Sequence, residues 1–198
     1  MNVAIIKYNA GNIYSVVNAV KRLGITPKVT DSAEDIMKAD RVLFPGQGEA
    51  KSTMAYLRDH HLDDLIRNLK QPVLGICIGQ QLMCRHSEEG NVDCLGIFDT
   101  DVKKFQPSRH EDKVPHMGWN TLENLSGPLF QDLNEKDFVY FVHSYYVPVT
   151  PYTTATTNYI VPFSASLQKD NFFATQFHPE KSGSIGERIL QNFIDLKL

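Results

Sequence analysis

The chain has 198 residues, 42% of them hydrophobic, and a formal net charge of −3, which suits one well-buried domain over residues 1–198 and leaves too little for two. Its 20 lysines and arginines are scattered, so it lacks the basic face that a phosphate backbone demands, and nucleic acid is excluded as an expected partner. Three cysteines without a Cys-x-x-Cys pair exclude a disulfide framework, and no apolar run is long enough for a signal peptide or a membrane span, so a cytoplasmic protein is expected.

Residues 3–7 read as a strand. A helix opens at Asn12, with Ile13, Val16, Val17, Val20 and Leu23 at helical spacing, and Gly24 ends it. The intervening Ala10-Gly11-Asn12 is a poor nucleotide-binding turn, lacking both the full Gly-x-Gly-x-x-Gly pattern and a phosphate-loop lysine. Residues 28–30 and 41–44 read as strands, separated by a short helix that Ser32 caps and whose first turn carries Glu34 and Asp35. One polar helix over residues 52–69 then leads to the apolar strand before Cys77. This β-α-β-α-β order implies a parallel sheet with helices on both faces. After Leu95 the runs are strand-like, among them residues 138–142 and the threonine-rich 153–160, read as solvent-facing, before residues 186–196 close the chain as an amphipathic helix. The expected fold class is α/β, with antiparallel additions to a largely parallel central sheet.

The segment Val73-Leu74-Gly75-Ile76-Cys77-Ile78-Gly79-Gln80-Gln81 reads as a strand, a Gly-x-Cys-x-Gly turn and a helix, the pattern of a nucleophile elbow carrying a thiol. Glycines on either side let the backbone fold back sharply. A helix N-terminus beside the sulfur favours thiolate, the nucleophilic form. By itself the same pattern suits a small buried cysteine after a core strand. Far downstream, Phe172-Phe173-Ala174-Thr175-Gln176-Phe177-His178-Pro179-Glu180 brings a histidine to the end of a strand-like run, with a carboxylate two residues on. Such a carboxylate can accept the imidazole N–H and stabilise the imidazolium that forms when it takes the cysteine proton. The other histidines, His60, His61, His86 and His110, lie among polar neighbours, and no ligand spacing for a metal occurs. Neither a metal nor a cofactor is expected.

Gly-Ile-Cys-Ile-Gly-Gln-Gln together with Phe-His-Pro-Glu-Lys-Ser resembles the signature of the class I, triad-type glutamine amidotransferases. Tyr8-Asn9-Ala10-Gly11-Asn12, Pro45-Gly46-Gln47-Gly48, Pro115-His116-Met117-Gly118-Trp119-Asn120 and Phe141-Val142-His143-Ser144-Tyr145 extend the resemblance along nearly the whole chain. They make it most similar to the glutaminase subunits of imidazole glycerol phosphate synthase. Lys7, Asn9, Gln80 and Gln47 depart from the usual pattern, and only Gln47, in place of a usual valine, touches expected chemistry.

The resemblance implies a three-layer fold and hydrolysis of L-glutamine through a cysteinyl thioester, with Cys77, His178 and Glu180 as the triad. It implies oxyanion donors from Ile78 and from the Gly46-Gln47-Gly48 strand, though Pro-Gly here is equally a plain turn. Substrate contacts fall to Gln81, Glu89 and the backbone of His143, Ser144 and Tyr145; otherwise Glu89 is one member of an exposed acidic run. It also implies ammonia delivery to a (β/α)₈-barrel cyclase subunit in a 1:1 heterodimer. The docking face would comprise Pro115, His116, Met117, Gly118, Trp119 and Asn120, with Tyr140 and Lys181 flanking the site. Trp119 suits either an interface anchor or a core position. Two other classes stay open: a stand-alone amidase or γ-glutamyl hydrolase, and a catalytically silent binding subunit.

Overall fold

A computed structural model describes residues 1–8 and 13–197; the expected helix start at Asn12 lies outside them. Strand β1 (Val3–Ile6), helix α1 (Ile13–Arg22), β2 (Lys28–Thr30), α2 (Ala33–Lys38), β3 (Arg41–Phe44), α3 (Ala50–Asp59), α4 (Leu62–Asn68), β4 (Val73–Ile76) and α5 (Ile78–Leu82) form the first half. Strands β5 (Cys84–Ser87), β6 (Val92–Asp93), β7 (Phe98–Lys104), β8 (His116–Thr121), β9 (Phe138–His143), β10 (Tyr145–Tyr146), β11 (Thr153–Tyr159), β12 (Val161–Lys169) and β13 (Phe172–Thr175) follow, before helix α6 (Gly183–Ile194).

The main sheet has the order β11-β12-β13-β4-β3-β1-β2. From β2 to β13 the strands run parallel, while β12 and β11 are antiparallel additions. Strand residues alternate between two apolar layers. Ala4, Ile6, Val42 and Phe44 join the core packed under α2 to α5, whereas Val3, Ile5, Leu43 and Leu74 face α1, α6 and β9. Burial on both faces explains why these strands are continuous apolar runs. A four-stranded sheet, β10-β7-β5-β6, and a separate hairpin, β8-β9, complete the architecture. The expected α/β class, with antiparallel additions to a parallel core, is what is found.

Three sequence expectations change in detail. The single helix over residues 52–69 is two helices, broken where His61 takes the left-handed conformation (φ 56°). Both histidines at the break are exposed, as expected. The threonine-rich strand does not simply face solvent: Thr156 and Thr157 are buried, Thr157 Oγ1 donates to the Thr121 carbonyl (2.9 Å), and Thr154 Oγ1 donates to Ser166 Oγ (3.0 Å). The cover comes from the segment after β8, whose Glu123 bridges to Thr156, so the burial is non-local. The closing helix starts earlier than residue 186, at Gly183. The short helix α2 is capped as expected, with Ser32 Oγ accepting the N–H of Asp35 (3.4 Å).

Candidate active site

Cys77 occupies the sharp turn between β4 and α5, with φ 56° and ψ −106°, a conformation costly for a residue with a side chain. Its flanking glycines are sterically required. A Cβ on Gly75 would lie 2.8 Å from the Gly79 carbonyl carbon, and one on Gly79 would lie 2.0 Å from the carbonyl oxygen of Phe44. The elbow is pinned to β13 by the Cys77 N–H, which donates to the Thr175 carbonyl (2.8 Å). Its sulfur faces the Val142 carbonyl at 3.9 Å and the Gln176 side-chain amide, which donates at 3.8 Å.

Because β13 lies parallel beside β4, with Thr175 opposite Ile76, both chains leave the sheet at the same edge. That register brings His178 to Cys77. The imidazole is buried, and its Nδ1–H donates to Glu180 Oε1 (2.7 Å). This fixes the tautomer and leaves Nε2 toward the sulfur, short of full hydrogen-bond geometry. Burial alone would lower the imidazole's pKa. The Cys77 charge, followed by the Glu180 carboxylate, outweighs it and raises the value to about 10. The His178 backbone is held at both ends: its N–H donates to the Tyr140 carbonyl (2.9 Å), and its carbonyl accepts from Ser182 Oγ (2.6 Å), which in turn accepts the Tyr140 N–H (3.0 Å).

Above the sulfur opens a cavity of about 340 Å³ lined by Gln47, Gly48, Cys77, Ile78, Gln81, Glu89, Pro115, Val142, His143, Ser144 and Tyr145, the small end of the range for small-molecule sites. It therefore gathers every expected substrate residue. Gln81 Nε2 donates to the Tyr145 carbonyl and to Gln176 Oε1, both at 3.0 Å. Glu89 Oε2 accepts the Ala50 N–H (2.8 Å). Partial burial raises the Glu89 pKa, with that N–H opposing and the Glu49 charge adding to the rise. Gly46 lies buried behind the wall formed by Gln47 and Gly48. Among the described residues, no group of three or more His, Cys, Asp or Glu side chains is placed to hold a metal.

The expected docking residues divide by strand alternation. Met117 (63% exposed) and Trp119 (56%) point outward from β8, and Phe138 is exposed on its partner strand. Tyr140 packs edge-on against Trp119 at 6.0 Å, and Lys181 Nζ sits 6.0 Å from the Tyr140 ring. Gly118 is half-buried between them. Pro115, expected on the docking face, is exposed and also lines the cavity.

His116 departs from the expected face: it is 3% exposed, stacked on Phe141 and Tyr159. It belongs to a chain of hydrogen bonds whose polarity is set by its ends. The Tyr145 carbonyl can only accept, so His143 Nδ1 carries the proton given to it (2.7 Å). His143 Nε2 must then accept from His116 Nδ1 (3.0 Å), and His116 Nε2 from the Asn120 amide (3.3 Å). Both imidazoles are neutral. Burial pushes His143 down to about 3 and His116 to about 4.

Three residues at the site lay outside the sequence expectations: Gln176, Ser182 and Tyr8, whose hydroxyl bonds the Pro45 carbonyl. Gln176 had a signal, being the one amide in an otherwise apolar approach to His178. Ser182 and Tyr8 fell within the motifs that carry the resemblance but were given no role, because their contacts with the Tyr140 N–H and the Pro45 carbonyl join segments far apart in the chain.

Residues 4–196 match the sequence model of the glutamine amidotransferase class-I family. The chain is 64% identical over 196 residues to imidazole glycerol phosphate synthase subunit HisH of Bacteroides fragilis, covering 99% of this chain and all of that one. It is 46% identical over 198 residues to the protein of the same name from Escherichia coli K12, again covering 99% of this chain and all of the relative. Among solved structures, a glutamine amidotransferase superposes with a TM-score of 0.75 at 17% identity, covering 98% of each chain. Another glutamine amidotransferase, from Thermotoga maritima, does so with 0.64 at 16%, covering 98% of this chain and 83% of that one. Kinship along the full length and a shared fold agree, and the chain belongs to the class I glutamine amidotransferases, in the branch of the HisH subunits of imidazole glycerol phosphate synthase.

Proposed function

We infer that this chain, as one domain in the cytoplasm, hydrolyses L-glutamine to L-glutamate and ammonia. We infer further that it passes the ammonia to a cyclase subunit in a 1:1 heterodimer, for imidazole ring formation in histidine biosynthesis. The observation that carries the reading is the Cys77–His178–Glu180 arrangement at the floor of the cavity. His178 takes the Cys77 proton and the thiolate adds to the glutamine side-chain carbonyl. The resulting oxyanion needs fixed donors, for which the N–H of Ile78, directly after the nucleophile, and that of Gln47 are assigned. As the tetrahedral adduct collapses, the imidazolium protonates the leaving nitrogen, and ammonia departs from a γ-glutamyl thioester on Cys77. A water deprotonated by the same imidazole then adds to the thioester, releasing glutamate and restoring the thiol.

Substrate selection follows from the walls. Glu89 meets the α-ammonium group together with the side-chain oxygen of Gln81, whose two amide hydrogens are already given to Tyr145 and Gln176, and the backbone of residues 143–145 meets the α-carboxylate. Ammonia freed into water at neutral pH becomes ammonium and is lost as a nucleophile, which makes direct hand-over to a partner the sensible design. The exposed Met117 and Trp119 beside Tyr140 and Lys181 supply the docking face.

The test is a glutaminase assay of the purified chain with and without the candidate cyclase and its nucleotide ligand. Slow turnover alone and fast turnover in the liganded complex are expected. Cys77→Ser should abolish both while leaving ammonium-driven synthesis by the complex intact. Full activity without the partner would point to a stand-alone hydrolase, and none with it to a silent binding protein.

A further inference from the structure

We propose that Tyr8 is a positioning residue for the oxyanion strand, its buried hydroxyl anchoring the Pro45–Gly46 end so that any adjustment of the strand is hinged beyond Gly46, at Gln47 and Gly48. The inference deepens the glutaminase reading above and rests on it.

The placement follows from the sheet. Strand β1 pairs in parallel with β3, Ile5 opposite Leu43, so the residues that follow the two strands emerge side by side. Tyr8 therefore meets the start of the loop after β3. Its hydroxyl donates to the Pro45 carbonyl at 2.5 Å, and its ring packs on Phe44 with centroids 5.4 Å apart. Pro45 has no N–H, so that carbonyl is its one backbone hydrogen-bonding group, and it is buried. Leaving it unpaired would cost free energy comparable to a lost hydrogen bond.

The same hydroxyl also defines the space over Gly46. A Cβ built there would lie 1.8 Å from the Tyr8 oxygen and 2.8 Å from Ile78 Cγ2. The Gly46 α-carbon is thus clasped between Tyr8 and the residue that follows the nucleophile. Burial ends there: Pro45 and Gly46 are buried, Gln47 and Gly48 exposed. Burial, then the neighbouring Cys77 charge, holds the phenol pKa far above its ordinary value, so Tyr8 remains a donor whenever the protein is folded.

Tyr8→Phe removes the donor and keeps the ring. The experiment compares it with the wild type as full chains in the liganded complex, measuring kcat and KM for glutamine, the melting temperature, and the rate at which iodoacetamide alkylates Cys77. Alkylation displaces iodide at a saturated carbon and builds no oxyanion, so it reads the thiol without reading the strand. It also reads Cys77 selectively, because burial of Cys84 and Cys94 pushes their thiols up, Cys94 to about 12.

The expected result is a fall in kcat of about 10-fold or more, bounded by the ~10²–10³-fold that one oxyanion donor contributes. KM and the alkylation rate should change by less than about 2-fold, an order-of-magnitude allowance for a residue that touches neither substrate nor thiol. Tyr8→Met, which also lacks the hydroxyl, should reproduce the split if the phenylalanine chain folds poorly. An unchanged kcat, or alkylation falling in step with kcat, overturns the inference while the wild-type turnover stands. A wild-type complex that does not hydrolyse glutamine overturns the underlying reading, and the inference with it.

Discussion

His178 and Glu180 share one hydrogen bond but not one role, and their replacements should differ accordingly. His178→Asn removes the group proposed to move protons and should abolish measurable glutamine turnover. Glu180→Gln removes a group that only orients and stabilises the base, and should leave activity roughly 10–100-fold higher than the histidine variant retains, read as kcat under saturating glutamine. A glutamate change harsher than the histidine change would reverse the assignment. The pH profile adds a sign. The folded imidazolium pKa stands at about 10, above the unfolded value near 6.5. Its favourable pairing is therefore complete below about pH 6.5 and is lost as pH rises through about 10, where an alkaline limb of turnover is expected. Glu180→Gln should move that limb to lower pH, since one of the charges raising the value is gone. At this scale the three groups that the structure brings together, Cys77, His178 and Glu180, were legible in the sequence, because a thiol between glycines and a carboxylate two residues after a histidine each carry their own spacing. The roles of the groups that hold them were not: Gln176 stood out among its neighbours, and Ser182 and Tyr8 sit in quoted motifs, but their contacts with Cys77, Tyr140 and Pro45 exist only once the strands are side by side.

The hairpin β8-β9 is the element that joins the outer surface to the chemistry. Its outward residues are apolar and exposed, while its inward ones, His116 and His143, run a hydrogen-bonded line to the Tyr145 carbonyl at the cavity wall. Trp119→Ala should weaken partner affinity or activation by about 10-fold, as expected for an exposed aromatic anchor, while shifting the melting temperature by no more than a degree or two. Calorimetric titration with the cyclase, together with a thermal melt of the free chain, checks both halves. A large drop in melting temperature with unchanged activation would make Trp119 structural.

The two histidines predict behaviour of their own in acid. Both have folded values below the unfolded one, at about 4 and about 3, so the unfolded chain binds protons first. The stability they contribute is present above about pH 6.5 and is lost as pH falls through those values, by up to about 1.4 kcal/mol per histidine for each pH unit. Melts from pH 7 to 4 should show this loss, and His116→Gln should flatten it. An equal slope in that variant would place the acid sensitivity elsewhere. The strands and helices of the first half up to Cys77, and β9, β11, β13 and the closing helix, were readable from period and punctuation, whereas β5 to β8, β10 and β12 were not individually read. The exceptions were the break at His61, an unusual backbone conformation no local pattern announces, and the burial of Thr156 and Thr157, which depends on cover from the segment after β8.

Across the whole molecule the site is a product of strand order. Segments that leave β3, β4 and β13 supply Gln47 and Gly48, Cys77 and His178 to the site, and these strands are adjacent in the sheet though the last of them comes late in the chain. Strand β13 does more than deliver a histidine: it is the link within the sheet between the parallel strands and the β11-β12 pair. While the chain is being synthesised, β4 therefore waits as a bare edge of Val73, Leu74, Gly75 and Ile76, open to pairing with any other extended segment until residues 172–175 emerge. A chain ended at residue 170 should accordingly form aggregates visible by light scattering at concentrations where the complete chain stays monodisperse, and a monodisperse truncated chain would refute this. The arrangement also ties ammonia release to near-complete synthesis: nucleophile and base cannot meet before the last strand joins the sheet, so a nascent chain that has not reached His178 has no means of wasting glutamine.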